Sequence, residues 1–341
     1  MFLYDARETN FLEWFTETPE AIAQWNVEEQ ELVTVVIPAF NAEKTVARTI
    51  DSVLDQVGCK LEVIVVDDGS TDSTPSILAG YGTKIRVLRQ EGRGVHGLGI
   101  TRNIGAALGS GLWIAFADSD DWWHPCKIIS QLAAARKAGA DVVFANARNV
   151  GSASVGETAY SSERRPAGAV LDLLISDNFI FTSSVLVRRP AFEACAGFTD
   201  QEWIVQDWDL WLRLAAQGRR FVGVTSPLIE YAWTPNSTSK SHYSMRRRRL
   251  GAFERCMKSI NYSPIKKNLA RSNLEATSAW FLSQDKPGQA IWWYLRALAY
   301  NPLNVSAAKG VVKSGSSAVK ALSSRRFSSR FRRWSNESFF N

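Results

Sequence analysis

The stretch LEVIVVDDGSTDSTP, residues 61–75, decides the fold class of this chain. It begins with a continuous run of apolar and β-branched residues, which is typical of a strand covered on both faces of a sheet. An Asp-Gly turn and a run of Ser, Thr and Asp before Pro75 follow, which is typical of a helix start. A buried strand followed directly by a helix predicts one β-α unit of a parallel sheet.

The same alternation extends from this stretch in both directions. We predict further strands for residues 32–37, 85–88, 112–117, 141–145, 185–189 and 221–224. Between them we predict helices for residues 42–57, 100–108, 125–139 and 207–218, a short one after residue 70 and one from Pro190. The helix of residues 42–57 has an apolar stripe of Val46, Ile50, Val53, Leu54 and Val57. In the helix of residues 125–139, Pro125 takes the first position. This order predicts an α/β fold with a doubly wound, mostly parallel sheet, which binds ligands beyond the carboxyl ends of its strands.

Composition excludes several other classes of protein. The 341 residues are 45% hydrophobic, enough to bury a full core. The four cysteines lie far apart, which excludes a disulfide framework or zinc site and favours a reducing compartment. The first residues lack the pattern of a secretory signal, and no apolar run reaches the ~18 residues of a membrane span. We therefore expect a cytoplasmic protein, free or peripheral on the inner face of the cell membrane.

The charge is distributed unevenly along the chain. Residues 1–239 contain 20 Lys and Arg against 30 Asp and Glu, whereas residues 240–341 contain 20 against 4. Together with the element pattern, this predicts an N-terminal extension, an α/β domain, a helical region and a basic tail. Their predicted bounds are residues 1–31, 32–240, 241–308 and 309–341.

The C-terminal part is predicted to be α-helical. Residues 271–304 resemble one helix-turn-helix of the tetratricopeptide type, but the sequence contains no second copy, and arrays of this class need about three. In the basic tail, Phe327, Phe331 and Trp334 fall at helical spacing beside eight Lys and Arg residues. Such a segment forms either an interfacial helix on an anionic membrane or a disordered tail. No nucleic-acid-binding module accompanies the basic residues, so we expect no nucleic-acid partner.

Two acidic clusters follow predicted strands. Asp67 ends the strand of residues 61–66 and is not needed for the turn, so it can accept a hydrogen bond from a nucleobase while its neighbours cap the next helix. The DSDD segment, residues 118–121, places three carboxylates within four residues after another strand. Their mutual repulsion favours a bound cation, and carboxylates suit Mg²⁺ or Mn²⁺. The alternative is a solvated acidic turn, against which the adjacent Trp122 and Trp123 argue.

A third constellation is QDWDLWLRL, residues 206–214. Helical spacing places Asp207, Trp211 and Leu214 on one face. A carboxylate on an aromatic, partly desolvated face is a candidate general base, because desolvation raises its pKa. The alternative is a carboxylate that only interacts with the dipole of the helix at its N-terminus. The three histidines are scattered and form no catalytic pattern.

Taken together, these segments resemble family 2 of the glycosyltransferases, which has the nucleotide-sugar-binding GT-A fold. The resemblance extends over about residues 32–240. It rests on VTVVIPAFNAEKTV (33–46), VIVVDDGSTDST (63–74), GITRNIG (99–105), FADSDDWW (116–123), GF (197–198), QDWDLWLRLA (206–215) and PNSTS (235–239).

The resemblance implies a hexosyl- or N-acetylhexosaminyl-transferase that inverts the anomeric centre. It would move a sugar from a UDP-sugar to a hydroxyl of a glycan or lipid-linked glycan, in cell-surface polysaccharide or glycan assembly. On the donor side, the resemblance implies that Pro38, Phe40 and Asn41 line the nucleoside pocket. It further implies that Asp67 binds the uracil and that Arg102 lies near the diphosphate.

The same resemblance assigns the acidic residues of the site. Asp118 and Asp120 form the DxD motif, with Asp118 contacting the ribose and Asp120 the Mn²⁺ or Mg²⁺ ion on the diphosphate. Asp121 shares the metal role, and Asp207 is the base that deprotonates the acceptor hydroxyl. A carboxylate base opposite a metal-stabilised leaving group gives direct displacement with inversion.

The chain departs from the family pattern at three places. Gln206 stands where the family usually has Glu, which removes a charge that could raise the pKa of Asp207. Thr234 stands where a His is frequent, so a third protein ligand of the metal would be missing. The loop of residues 89–97 is slightly longer than usual. Two alternatives stay open: a non-catalytic nucleotide-sugar-binding protein, and a nucleotidyltransferase, for which residues 38–46 supply no obvious triphosphate-binding basic loop.

Overall fold

The computed structural model describes residues 12–15, 31–91, 97–150, 170–176, 178–199, 205–232, 242–260 and 262–317. The chain divides into two compact units, Met1–Lys240 and Ser241–Asn341. The described part of the first unit is a sheet with helices on both faces, and that of the second is all-helical.

Nine strands within the described residues form the sheet of the first unit. Its order is β1-β9-β7-β8-β5-β2-β3-β4, and β6 pairs with β9 outside this path. β8 runs antiparallel to β5 and β7, β6 runs antiparallel to β9, and the other pairs are parallel. The predicted mostly parallel α/β sheet is therefore confirmed. The strands are β1 (Leu12–Phe15), β2 (Leu32–Ala39), β3 (Lys60–Asp67), β4 (Arg86–Arg89), β5 (Trp113–Phe116), β6 (Trp122–Trp123), β7 (Val142–Val150), β8 (Leu186–Arg188) and β9 (Phe221–Ala232).

Helices cover both faces of this sheet, as a doubly wound fold requires. On one face Ile50 and Leu132 belong to the same buried core as Val35 and Val65 of the central strands. On the other face Gly105 lies so close to Val36 that an added Cβ would meet its Cγ1 at 2.3 Å. The helices are α1 (Val46–Leu54), α2 (Thr74–Ala79), α3 (Leu98–Leu108), α4 (Lys127–Ala138), α5 (Val170–Ser176), α6 (Arg189–Ala194) and α7 (Gln206–Ala216).

Two details of the predicted helices are wrong. Helix α4 begins at Lys127 and not at Pro125, because the residues before it are tied elsewhere: the Pro125 carbonyl accepts from Val57 N at 3.0 Å, and His124 N donates to the Leu228 carbonyl at 3.0 Å. The hydrogen bond from Val57 N to the Pro125 carbonyl also explains why Val57 does not continue the apolar stripe of α1. It lies beyond the end of that helix and is 49% exposed.

Pro38 occupies a position in β2 that tolerates a residue without an amide hydrogen. The pairing of β2 with β5 ends at Val36 and Phe116, whereas its pairing with β3 continues to Ala39 and Asp67. Beyond Val36 the strand therefore has a partner on one side among the described residues. Proline is tolerated at such an edge position because no ladder hydrogen bond is lost.

The second unit contains helices α8 (His242–Ser259), α9 (Pro264–Asp285), α10 (Pro287–Tyr300) and α11 (residues 305–317). Small residues of α9 and α10 form its buried centre together with Tyr294. The guanidinium of Arg296 donates to both carboxylate oxygens of the buried Glu275, at 3.0 and 2.8 Å. The predicted C-terminal helical region is confirmed. None of the helices among the described residues is long and apolar enough to cross a membrane.

Candidate functional site

The site is built at the edge of the sheet where the parallel strands β2, β3 and β5 end. The register pairs Ala39 with Asp67, so the residues that follow β2 lie beside the end of β3. The backbone of residue 117 continues β5 along β2, since Ala117 N donates to the Val36 carbonyl at 3.0 Å. The DSDD segment therefore starts at the same edge as Asp67, as the strand-end rule predicts.

Asp67 is 1% exposed and held on both sides. Its Oδ1 accepts from Ser70 N at 2.9 Å, and its Oδ2 lies 3.7 Å from Nε of Arg89 at the end of β4. The Arg89 side chain is more than half exposed and also donates to the Ser70 carbonyl at 2.9 Å. Arg89 was not among the predicted site residues. Arg89 ends β4, so the rule that ligands bind beyond the carboxyl ends of the strands would have indicated it.

Phe40 and Asn41 turn the chain away from the end of β2. Asn41 has a φ of 48°, a left-handed conformation that asparagine tolerates better than most residues. Its N–H donates to Ser70 Oγ at 2.9 Å, and its Oδ1 accepts from Thr71 N at 2.9 Å, so it fastens this turn to the one after β3. Phe40 is 44% exposed at the surface of the edge. A large aromatic ring left exposed beside two polar turns suits the stacking of a planar ligand.

Two buried residues, Ser183 and Arg102, hold Asp118 in place. Its N–H donates to Ser183 Oγ at 2.9 Å, and its Oδ1 accepts a hydrogen bond from the Arg102 guanidinium. Arg102 is 2% exposed, and its guanidinium carbon lies 5.4 Å from the centre of the Phe198 ring. The structure thus places Arg102 behind Asp118, where it supports that carboxylate.

Asp120 and Asp121 carry poorly compensated charge. Burial raises the pKa of Asp120 to about 6, and the negative charge of Asp118 contributes. Burial also raises the pKa of Asp121 well above its usual value, with the charges of Asp118 and Asp120 acting in the same direction. Asp121 Oδ1 accepts from Ala232 N at 3.0 Å, which ties the segment to the end of β9.

The chemistry of this cluster fits a divalent cation in one particular way. Within the described residues, no three His, Cys, Asp or Glu side chains converge as a complete set of metal ligands. Mg²⁺ and related ions, however, commonly use one or two protein carboxylates and take their other ligands from phosphate oxygens and water. The carboxylate of Asp120, whose charge is not compensated by a cation in the described part of the chain, fits an ion bound in that way. The metal role of Asp121 stays a prediction.

Asp207 lies in the first turn of α7, where sequence spacing predicts it, and is partly exposed. Its Oδ1 accepts from Trp208 N at 2.7 Å, and its Oδ2 accepts from Asn178 Nδ2 at 3.1 Å. Burial raises the pKa of Asp207, while these two bonds and the positive charge of Arg102 lower it. The charge of Asp118 also acts on this pKa, in the raising direction. The segment of residues 178–184 contacts both acidic residues, since Asn178 donates to Asp207 and Ser183 accepts from Asp118 N.

The departures from the family pattern fall in different parts of the chain. Gln206 is buried, and its Oε1 lies so close to Gly99 that an added Cβ would meet it at 2.2 Å. Thr234 lies outside the described residues, as do residues 92–96 of the loop that we expect to be longer.

Two further polar residues of the site, Asn178 and Ser183, were not predicted. They belong to a segment without apolar periodicity, so nothing in their spacing indicates that they contact Asp207 and Asp118. Residues 146–180 lack strong periodicity in the sequence and are expected to wrap over the site; of these, residues 151–169 and 177 lie outside the described residues.

Comparison with known proteins identifies the family. The model of glycosyl transferase family 2 matches residues 34–195. The chain is 30% identical over 210 residues to the amylovoran biosynthesis glycosyltransferase AmsB of Erwinia amylovora, an alignment that covers 58% of this chain and 68% of AmsB. The chain belongs to glycosyl transferase family 2.

Other relatives match over shorter segments. The succinoglycan biosynthesis protein ExoO of Rhizobium meliloti is 37% identical over 115 residues, 33% of this chain and 32% of ExoO. The UDP-Glc:alpha-D-GlcNAc-diphosphoundecaprenol beta-1,3-glucosyltransferase WfaP of Escherichia coli is 35% identical over 102 residues, 30% of this chain and 40% of WfaP. The alignments thus span about a third of ExoO and less than half of WfaP.

Solved structures share the fold. That of S. aureus TarS 1–349 in complex with UDP-GlcNAc matches with a TM-score of 0.62 at 16% identity, over 85% of this chain and 92% of the other. The mannosyltransferase PcManGT of Pyrobaculum calidifontis in complex with GDP-Man and Mn²⁺ matches with a TM-score of 0.56 at 18% identity, over 88% and 86%. At these identities the likeness concerns the fold alone. The predicted family and fold class are confirmed.

Proposed function

We propose that this family 2 chain is an inverting glycosyltransferase that moves a sugar from a UDP-sugar to an acceptor hydroxyl. The observation that carries the proposal is the pair of contacts that residues 178–184 make with the acidic residues. Asn178 Nδ2 donates to Asp207 Oδ2 at 3.1 Å, and Ser183 Oγ accepts from Asp118 N at 2.9 Å. One short segment thus positions a donor-side carboxylate and a candidate base, and a single displacement requires both groups to be held in place together.

On the donor side, the proposal assigns the nucleoside to the edge formed by the ends of β2 and β3. Phe40 offers an exposed ring, and Asp67 offers a carboxylate that would accept from the uracil N–H. Pro38 and Asn41 shape the turn, and Arg102 supports Asp118 at the ribose. Tight turns that bring the backbone to the strand ends favour this kind of nucleotide binding.

The proposed metal ligands are Asp120 and Asp121, with Asp118 beside them. A divalent ion bound there would neutralise charge on the leaving diphosphate. The chain's own contribution is to hold the carboxylates in place: Ser183 and Arg102 fix Asp118, and the end of β9 fixes Asp121. The solved mannosyltransferase complex with GDP-Man and Mn²⁺ supports the use of a divalent ion.

On the acceptor side, Asp207 takes the proton of the attacking hydroxyl. Burial raises the pKa of this carboxylate, which makes it a stronger base than an exposed one. Attack from the side opposite the diphosphate inverts the anomeric carbon. The proposed acceptor is a glycan or a lipid-linked glycan, supported by the polyprenol-linked acceptor in the name of WfaP and by the polysaccharide pathways in the names of AmsB and ExoO.

A donor-hydrolysis screen tests the proposal directly. We expect the purified chain to release UDP from at least one UDP-hexose or UDP-N-acetylhexosamine in the presence of Mn²⁺, and to lose this activity when a chelator is added. A chain that binds UDP-sugars without releasing UDP would be a non-catalytic binding protein. A chain that instead forms nucleotide-sugar from a sugar phosphate and UTP would be a nucleotidyltransferase.

We further propose that the second unit binds an anionic membrane surface, so that the protein is cytoplasmic and peripheral. Val305, Lys309, Val312 and Lys313 are exposed on α11 at spacings that place them on one face. An apolar face flanked by lysines suits the interface of an anionic bilayer, where each basic residue contributes about 1 kcal/mol. The rest of the predicted basic tail, residues 318–341, lies outside the described residues.

Vesicle co-sedimentation tests this membrane proposal. The double change Lys309→Glu and Lys313→Glu should weaken binding to phosphatidylglycerol vesicles at low salt by roughly tenfold or more, since two attractive charges become repulsive. The matched control is Lys258→Glu, a change of another exposed lysine in the same unit. Equal binding by the double variant and the wild type, or equal binding to pure phosphatidylcholine vesicles, would contradict the proposal.

A further inference from the structure

The segment of residues 178–184 contacts both sides of the site. At one end, Asn178 Nδ2 donates to Asp207 Oδ2 at 3.1 Å. Near the other end, Ser183 Oγ accepts from Asp118 N at 2.9 Å. The segment itself is anchored by aromatic packing, because Phe179 lies 5.6 Å from the Phe144 ring and Phe181 lies 4.9 Å from the Tyr231 ring. One short piece of chain therefore relates the position of the candidate base to that of the donor carboxylates.

The amide of Asn178 is oriented by the carboxylate. An ionised carboxylate only accepts hydrogen bonds, so the NH₂ group must face Asp207. The reverse orientation would place two oxygens against each other. In the orientation that results, Asn178 Oδ1 is buried without a hydrogen-bond partner among the described residues. An unpaired buried carbonyl is unfavourable. The hydrogen bond to Asp207 is therefore formed although it leaves the oxygen of the Asn178 amide unpaired.

Two donors together fix the plane of the Asp207 carboxylate. Trp208 N binds Oδ1, and Asn178 Nδ2 binds Oδ2, so rotation of the carboxylate about its last bond would break both. Each carboxylate oxygen has a second lone pair, which leaves capacity to accept the proton of a hydroxyl. Trp208 N belongs to the same helix as the base. Asn178 is the donor that comes from a separate segment.

We propose that Asn178 is a positioning residue, whose amide holds the Asp207 carboxylate in the orientation that accepts the proton of the acceptor hydroxyl. This inference rests on the proposed function and concerns the base side of the same site. It assigns no contact between Asn178 and the sugar donor. The effect of Asn178 on the reaction therefore passes through Asp207, and this separates it from a residue that only supports the fold.

The test is a double-mutant cycle measured on the full chain, with UDP release from a UDP-sugar as the probe. Asn178→Leu keeps the size of the side chain and removes its donor. We expect its turnover number to fall by about tenfold or more, as small misplacements of a reacting group do. The KM for the UDP-sugar should stay within about threefold, because the donor contacts are unchanged. In an Asp207→Asn background the same change should alter the residual rate by less than about twofold, since no base is left to position.

Controls separate this effect from general disruption of the fold. Gln217→Leu is the matched control: it also removes an amide donor of the first unit, but one that bonds the Ala194 carbonyl, and its turnover should be near that of the wild type. If Asn178→Leu fails to fold, Asn178→Ala takes its place in the cycle. Wild-type turnover by the folded Asn178 variant, or an equal loss with and without Asp207, would overturn the inference while leaving the proposed function intact. A wild-type chain that releases no UDP from any UDP-sugar would overturn both.

Discussion

The carboxylates after β5 and the carboxylate at the start of α7 have the same chemistry but different surroundings. Asp118, Asp120 and Asp121 crowd together, so burial and mutual repulsion raise the pKa of Asp120 and of Asp121. Burial also raises the pKa of Asp207, but two hydrogen bonds and the positive charge of Arg102 act to lower it. The first arrangement leaves negative charge for a cation to balance. The second holds one carboxylate by hydrogen bonds while burial makes it a stronger base, which suits proton transfer.

The largest expected effect tests the donor side. Asp120→Ala should reduce sugar transfer by about 1000-fold, corresponding to the several kcal/mol that a metal ion supplies at a leaving phosphate. It should also remove the dependence of UDP affinity on Mn²⁺, because one of the two proposed metal ligands is gone. The measurement is UDP binding by calorimetry with Mn²⁺ and with chelator. UDP affinity that is the same in the wild type with and without Mn²⁺ would show that the cluster holds no ion.

A smaller and different effect is expected on the base side. Asp207→Asn retains the shape of the side chain and removes its basicity. Transfer should fall by about 100-fold or more, the range for a positioned base, while UDP affinity changes by no more than about threefold. Both quantities are measured on the same preparation. A variant that transfers at nearly the wild-type rate would eliminate Asp207 as the base.

The smallest expected effect concerns the pKa of the base, which a second carboxylate would raise as neighbouring carboxylates do in the DSDD segment. Gln206→Glu adds a second buried carboxylate next to Asp207, and like charges raise the pKa of each other. The base must be ionised to act, so the rate falls as the pH drops through its pKa. A higher pKa therefore moves this acidic limb to higher pH, by about one unit. The rate on the alkaline side should stay the same. A pH profile of transfer that coincides with that of the wild type would show that residue 206 does not tune the base.

Much of the fold follows from local patterns in the sequence. Continuous β-branched runs such as Val33–Ile37 and Val63–Val66 predict buried parallel strands, and the structure has them in the interior of the sheet. The strand-end rule also predicts that Asp67 and the DSDD segment share one edge. Each of these features is determined by a short stretch of chain, so its residue pattern can be recognised in the sequence alone.

Other features depend on long-range pairing and could not be predicted in the same way. β6 is only two residues long, and it becomes a strand because Trp122 and Trp123 pair with Glu230 and Ile229. β1 likewise forms against the distant β9. The contacts of Asn178 and Ser183 with the acidic residues come from the packing of a segment without periodicity. The balance of burial and charge around Asp207 is a property of several elements at once, so spacing indicates a carboxylate but not its pKa.

Strand β9 determines when the site can form during synthesis of the chain. Its residues pair with Leu12–Phe15, with β7 and with the Trp122–Trp123 strand, and its last residue binds the Asp121 side chain. The segment that matches the family model ends at residue 195, before β9 and before the helix of Asp207 have been made. A nascent chain of that length can collapse locally, but contacts as distant as Leu12 with Phe221 close late, because the entropy of long loops opposes them. The acidic cluster therefore reaches its final geometry near the end of the first unit's translation, after the strands that start the sheet.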